Sequence, residues 1–233
     1  MRRWAIGVDL GQKSDNSAVV VLELGEQYAV ARIIQKFDIG TPIVPVVVDF
    51  LEQLVVRITG FGDSEIEYFT VDATGMGQTP SQIMEERLSK YGITVFPYIF
   101  TLKLKKELIG NLKMLYATRR LRFAAANLSD NPIFSRMVWE MIDEMKNYEV
   151  RMRPNASNDE EVDLVVFKTG EHDDMVTALA LAAKDIAPMY EYGGGATGVG
   201  AVSAPREEKD PLDDNAVYGY VWGRKKAPER NYL

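Results

Sequence analysis

The first strong pattern along the chain is an alternation at residues 4–10, where Ile6, Val8 and Leu10 share one face and Ala5, Gly7 and Asp9 the other. A period of two is the signature of a strand, and the apolar face marks it as buried. The turn at residues 11–16 leads to a second strand at 17–24, and Gly25-Glu26 turns the chain tightly into a third at 27–37. Two short connections in succession predict an antiparallel meander. The period then changes. Ile43, Val47, Phe50, Leu51, Leu54 and Ile58 fall at helical spacing behind Thr41-Pro42, a capping hydroxyl followed by proline, so an amphipathic helix is predicted over 42–58. A fourth strand at 68–72 follows this helical crossover and is expected to lie parallel to the first.

Beyond it, a glycine-bearing loop (Ala73-Thr74-Gly75-Met76-Gly77) leads to a helix at about 80–90 and a fifth strand at about 93–97. Leu104, Leu108, Leu112 and Leu115 form the apolar stripe of a helix over 102–118. Asn131-Pro132 opens another, with Phe134, Val138, Met141 and Met145 as its core-facing row. Residues 149–153 and 162–167 read as the arms of a hairpin joined by the polar loop 154–161. Glu171-His172-Asp173-Asp174 then opens an alanine- and leucine-rich helix that ends before Pro188. From Pro188 onward glycines and a charged run replace any periodicity, and 188–233 is expected to be a flexible tail. Residues 1–187 thus predict one α/β domain, with a mixed sheet of five or more strands flanked by helices and a hairpin added before the last helix.

Composition narrows the chemistry. The chain has no cysteine and a single histidine, His172, which excludes cysteine-ligated metals and leaves little room for a histidine-based site. Any metal chemistry falls to carboxylates, which select Mg²⁺, Mn²⁺ or Ca²⁺. No apolar run approaches the length of a membrane span, and Met1-Arg2-Arg3-Trp4 runs directly into the first strand, so a cytoplasmic, non-secreted protein is expected.

Four carboxylates then stand out. Taken singly, each has an ordinary explanation: Asp9 and Asp72 as strand-end caps, Asp173 and Asp174 as acids favoured by the dipole at a helix start. Jointly they point elsewhere. Strands one and four, as parallel neighbours, bring Asp9 and Asp72 to one sheet edge, and carboxylates held close stay ionised in the company of a cation. Such a site suits two divalent ions. Asp174, four residues before the small Ala178, is expected to be the direct ligand and Asp173 its support.

The net charge of −7 is unevenly spread. Residues 101–124 carry Lys103, Lys105, Lys106, Lys113, Arg119, Arg120 and Arg122 against Glu107, a net +6 that leaves −13 for the rest. A basic element in an acidic chain with a carboxylate site predicts a track for a polyanion.

The segments Ile6-Gly7-Val8-Asp9, Val71-Asp72-Ala73-Thr74-Gly75-Met76-Gly77 and His172-Asp173-Asp174-Met175-Val176-Thr177-Ala178-Leu179, in this order, resemble the nuclease domain of viral terminase large subunits. The Lys106-Glu107-Leu108 helix and the hairpin before the last helix fit as well, so the resemblance covers about 1–187. It implies a ribonuclease H-like fold and Mg²⁺- or Mn²⁺-dependent endonuclease cleavage of concatemeric double-stranded DNA during genome packaging. Asp9, Asp72 and Asp174 then match the family's metal ligands, with Asp173 a fourth contributor. It also implies a terminase ATPase domain, a small terminase subunit and a portal as partners, in the cytoplasm of the infected host cell. One departure matters: no phosphate-loop sequence is present, since Gly75-Met76-Gly77 lacks the lysine. The chain is expected to be an excised domain or a separately encoded nuclease that does not translocate DNA alone.

Other readings share parts of this pattern. Gly7-Val8-Asp9-Leu10-Gly11 also resembles the first phosphate-binding hairpin of actin-like ATPases and sugar kinases, but those proteins need two such domains and no second copy is found. Among nucleases, a proofreading-type exonuclease would want glutamate at the position of Gly11, whereas a Holliday-junction resolvase remains compatible. A DNA-binding or capsid-docking module with a dead metal site is disfavoured by the presence of all four acids.

Overall fold

A computed structural model describes residues 1–11, 15–60, 62–74, 79–124, 131–154, 161–167 and 172–186. The 188–233 tail, the Gly75-Met76-Gly77 loop and most of the 154–161 loop lie outside the described residues. The meander is present as predicted: β1 (Arg2–Asp9), β2 (Ser17–Leu24) and β3 (Ala29–Phe37) pair antiparallel in sequence. On the other side of β1, β4 (Ser64–Asp72) pairs parallel to it, and β5 (Phe96–Tyr98) parallel to β4. The sixth strand, β6 (Leu121–Phe123), lies parallel to β3, giving the order β5-β4-β1-β2-β3-β6. The periodicity did not reveal β6. It is only three residues long and lies within the basic stretch, although buried Leu121 and Phe123 flank a half-exposed Arg122 in strand fashion.

Helices cover both faces of the sheet. One face packs Ile6, Val8, Val19, Val21 and Phe69 against α1 (Asp49–Gly60) and α2 (Thr79–Ser89), through Leu51, Val55, Met84 and Leu88. The opposite face offers the smaller Ala5, Ala18 and Val20 to α3 (Leu102–Ala117), α4 (Pro132–Lys146) and α5 (Asp174–Ala182). The predicted core row Phe134, Val138, Met141 and Met145 is buried there. The hairpin is also present, β7 (Tyr148–Pro154) against β8 (Glu161–Phe167). Among the described residues no helix is long and apolar enough to cross a membrane.

Two local expectations need correction. The helix predicted over 42–58 begins as a π-helical turn, Ile43–Val48, before α1 proper. Pro45 within it has no N–H to donate, so a regular ladder of hydrogen bonds is unavailable at that point. Thr41 does not cap this segment. Its hydroxyl donates instead to the Asp38 carbonyl at 2.6 Å.

The end of α3 carries a second irregularity. Thr118 is the last half-helical residue, and Arg119, next, has φ 57°, while Arg120 N–H closes onto the Leu115 carbonyl at 2.8 Å. This left-handed position after a helix is one that glycine occupies most readily, because a Cβ there crowds the following carbonyl. Arg119→Gly is therefore expected to stabilise the fold by about 1 kcal/mol, despite the greater freedom of the unfolded glycine chain. Urea unfolding of the two proteins checks it; an unchanged or lower midpoint would contradict the strain argument.

Candidate metal centre

The register of β1 on β4 pairs Val8 with Val71, so Asp9 and Asp72 close two adjacent parallel strands at the same end of the sheet. Helix α5 supplies the remaining acids, Asp173 immediately before its first turn and Asp174 within it. It reaches them across the small-residue face of β1. A Cβ built on Gly7 would stand 2.0 Å from the Ala178 carbonyl oxygen and 2.4 Å from the Ala182 nitrogen. The room left by Ala5 and Gly7 beside Asp9 is thus filled by the backbone of α5. Gly11 is similarly enclosed, with a Cβ 2.2 Å from the Asp15 carbonyl oxygen, and its N–H donates to Ser17 Oγ at 3.0 Å.

All four acids line one cleft, together with Asp15, Thr74, Lys105 and His172. Asp9 is buried, and its pKa is pushed well above the usual carboxylate value, first by burial and then by the charges of Asp72, Asp174 and Asp173. Burial also raises Asp72, against the hydrogen bond that Thr74 N–H donates to its Oδ1 at 2.7 Å. Asp174 is raised by burial as well, partly offset by Asn16, whose Nδ2 donates to Asp174 Oδ2 at 3.1 Å. Asp173 accepts from Lys105 Nζ at 2.6 Å. His172 Nδ1 stands 3.8 Å from Asp174 and 4.0 Å from Asp15.

The chemistry of this donor set fits hard divalent cations: four carboxylates line one cleft, in which they disfavour one another's ionisation. Among the described residues, no group of three acid or histidine side chains is arranged to hold an ion as it stands. The side chains are turned to Thr74, Asn16 and Lys105 instead.

Three further residues bear on the site without a strong signal in the sequence. Asn16 and Asp15 belong to the turn after β1. Glu144 sits on the apolar face of α4 between Met141 and Met145, buried, with Oε2 accepting from Met175 N at 3.0 Å and Val176 N at 3.1 Å. Burial pushes its pKa up to about 8, against the pull of the Val176 N–H and of Lys36. A carboxylate in an apolar helical row was the available signal.

The basic stretch is divided. Lys103 and Lys106 project to solvent from the first turns of α3, and Lys105 turns into the cleft. Lys113 is half-buried, with its pKa lowered by that burial. Arg120 donates to the Gln27 carbonyl at 3.0 Å, and the Arg122 guanidinium lies 3.9 Å from the Tyr28 ring centroid. Since Leu121 pairs with Ala29 at the start of β3, these arginines sit at the end of the sheet opposite Asp9. Helix α3, 16 residues and hence about 24 Å long, separates the two groups.

No family model matches the sequence, and no curated protein matches it. Solved structures do match the fold. The Thermus phage P74-26 large terminase nuclease domain superposes with a TM-score of 0.52 at 23% identity, over 78% of each chain. The large terminase nuclease of thermophilic phage G20c with bound magnesium gives 0.50 at 23% identity, over 79% of this chain and 82% of that one. The manganese-soaked human cytomegalovirus terminase nuclease domain gives 0.50 at 8% identity, over 79% and 84%. The chain therefore has a ribonuclease H-like fold, with a mixed six-stranded sheet flanked by helices. The arrangement of its elements is similar to that of terminase large-subunit nuclease domains.

Proposed function

We propose that the chain is a divalent-metal-dependent endonuclease that cuts double-stranded DNA, acting on concatemeric viral genomes during packaging. The observation that carries this reading is the meeting of Asp9, Asp72, Asp173 and Asp174 in one cleft of a terminase-nuclease fold. Asp9, Asp72 and Asp174 would hold two Mg²⁺ or Mn²⁺ ions, with Asp173 contributing once it leaves Lys105. Bound there, the cations supply the charge that activates a water and stabilises the leaving oxygen of the phosphodiester.

The chain's own groups set the geometry. Thr74 and Asn16 fix one oxygen each of Asp72 and Asp174. Lys103 and Lys106, at the cleft end of α3, hold the duplex through phosphate, and Lys105 places its charge at the scissile group. Lysine contacts to phosphate position a duplex without reading its sequence. Arg119, Arg120 and Arg122 form a separate basic group outside that contact. An ATPase domain, a small terminase subunit and a portal are the partners this function requires, in the cytoplasm of the infected cell.

Supercoiled plasmid incubated with Mn²⁺, with Mg²⁺ and with excess chelator tests the reading. Nicking or linearisation is expected only with a divalent ion; cleavage that survives chelator would overturn it. A preference for four-way junctions over linear duplex would replace packaging with junction resolution.

A further inference from the structure

A helix start leaves backbone N–H groups without partners, and a side chain just ahead of the helix ordinarily accepts from the second or third of them. Asp173 occupies that capping position on α5, and aspartate is among the best capping residues, yet its carboxylate makes no capping hydrogen bond. It reaches into the cleft and accepts from Lys105 at 2.6 Å. The two N–H groups it leaves, on Met175 and Val176, are taken by one oxygen of Glu144, 3.0 and 3.1 Å away, from a different helix. Glu144 is buried, its other oxygen makes no hydrogen bond among the described residues, and Lys36 Nζ is the cation beside it at 4.0 Å.

We propose that Glu144 is the positioning residue of the carboxylate centre: by capping α5 from α4, it releases Asp173 from capping and holds both Asp173 and Asp174 toward the cleft. Without Glu144, the buried N–H groups of Met175 and Val176 would draw the acceptor that stands at the capping position, Asp173. The cleft would lose one carboxylate, and Asp174, next in the chain, would turn with it. The role rests on the metal reading for its purpose but not for its geometry.

The 233-residue chain and its E144L, E144Q and E144D variants test this by Mn²⁺ titration calorimetry and by crystal structures of the metal-free proteins. E144L is close in size and removes the acceptor. It is expected to bind Mn²⁺ about tenfold or more weakly, a typical consequence of losing support behind metal ligands. In its metal-free structure the Asp173 carboxylate is expected to have moved from Lys105 to the Val176 N–H. E144Q keeps an oxygen for the same two N–H groups and is expected to retain wild-type affinity, a rescue that loss of packing alone would not predict. If E144L does not fold, E144D decides in its place: it keeps the carboxyl group, withdraws the oxygen by one methylene, and is expected to show a smaller shift in the same direction. Wild-type affinity with Asp173 still on Lys105, in whichever of the two folds, would overturn the proposal. If the wild-type chain itself fails to bind Mn²⁺, the metal reading falls, and the position of Asp173 in the metal-free variant still decides the role of Glu144.

Discussion

Asp9→Asn and Asp72→Asn are each expected to abolish metal-dependent cleavage while raising the thermal stability of the metal-free protein. Both substitutions keep side-chain size and remove a negative charge from a cleft that Asp173 and Asp174 also line. The stability effect should be larger for Asp9, which is buried and feels all three other acids. Because its pKa is raised in the folded state, the fold holds that proton more tightly than the unfolded chain does. Its ionisation therefore works against folding: the penalty is absent below the ordinary carboxylate pKa of 3.8 and sets in as the pH rises toward the raised folded value. Asparagine escapes it. A relief of about 1 kcal/mol corresponds to roughly 2–4 °C in Tm for a domain of this size. Mn²⁺ should raise the wild-type Tm at neutral pH and leave that of Asp9→Asn nearly unmoved. A metal-free Tm for Asp9→Asn below wild type, or retained cleavage, would place the centre elsewhere.

Gly7→Ala is expected to cost about 3 kcal/mol or more, beyond the usual range for one added methyl in a core. The methyl would meet the Ala178 carbonyl oxygen at 2.0 Å and the Ala182 nitrogen at 2.4 Å, both backbone atoms of α5 that cannot rotate aside. Relief requires α5 to lift from β1, which carries Asp174 away from Asp9. Loss of Mn²⁺ binding should therefore accompany the loss of stability. Gly110→Ala is the internal comparison: a Cβ there meets nothing within 4 Å, and alanine inside α3 should stabilise by about 0.5–1 kcal/mol. Comparable unfolding midpoints for wild type and Gly7→Ala would show that the helix has a second seat on the sheet.

Sequence patterns disclosed those parts of the molecule whose causes are local. The alternation of Ile6 and Val8 with Ala5 and Gly7 separates the two faces of β1 because strand geometry leaves no other choice. Asp9, Asp72 and Asp174 were visible because each stands at the end or start of an element whose direction the connections set. What stayed hidden depends on tertiary placement. Lys105 and Lys106 are neighbours of one residue type, yet one enters the cleft and the other faces solvent according to where α3 lands. The seven basic residues looked like a single track because sequence proximity says nothing of a helix that carries its ends to opposite edges of a sheet. Glu144 is the clearest case: its partners lie 31 and 32 residues away, on a helix whose own aspartate would have been the natural choice for the task.

The acids of the cleft come from the first strand, the fourth and the last described helix, so no stretch of contiguous chain contains a working fragment of the site. Until α5 has seated itself over Gly7, the polypeptide carries scattered aspartates with ordinary affinities and nothing that grips an ion strongly. On the proposed function, competence to cut would arrive together with completion of the fold, and an unfinished or partly opened chain would be harmless to the DNA around it. An ion shared between β1, β4 and α5 would in turn act as a clasp, adding its binding free energy to the docking of that helix.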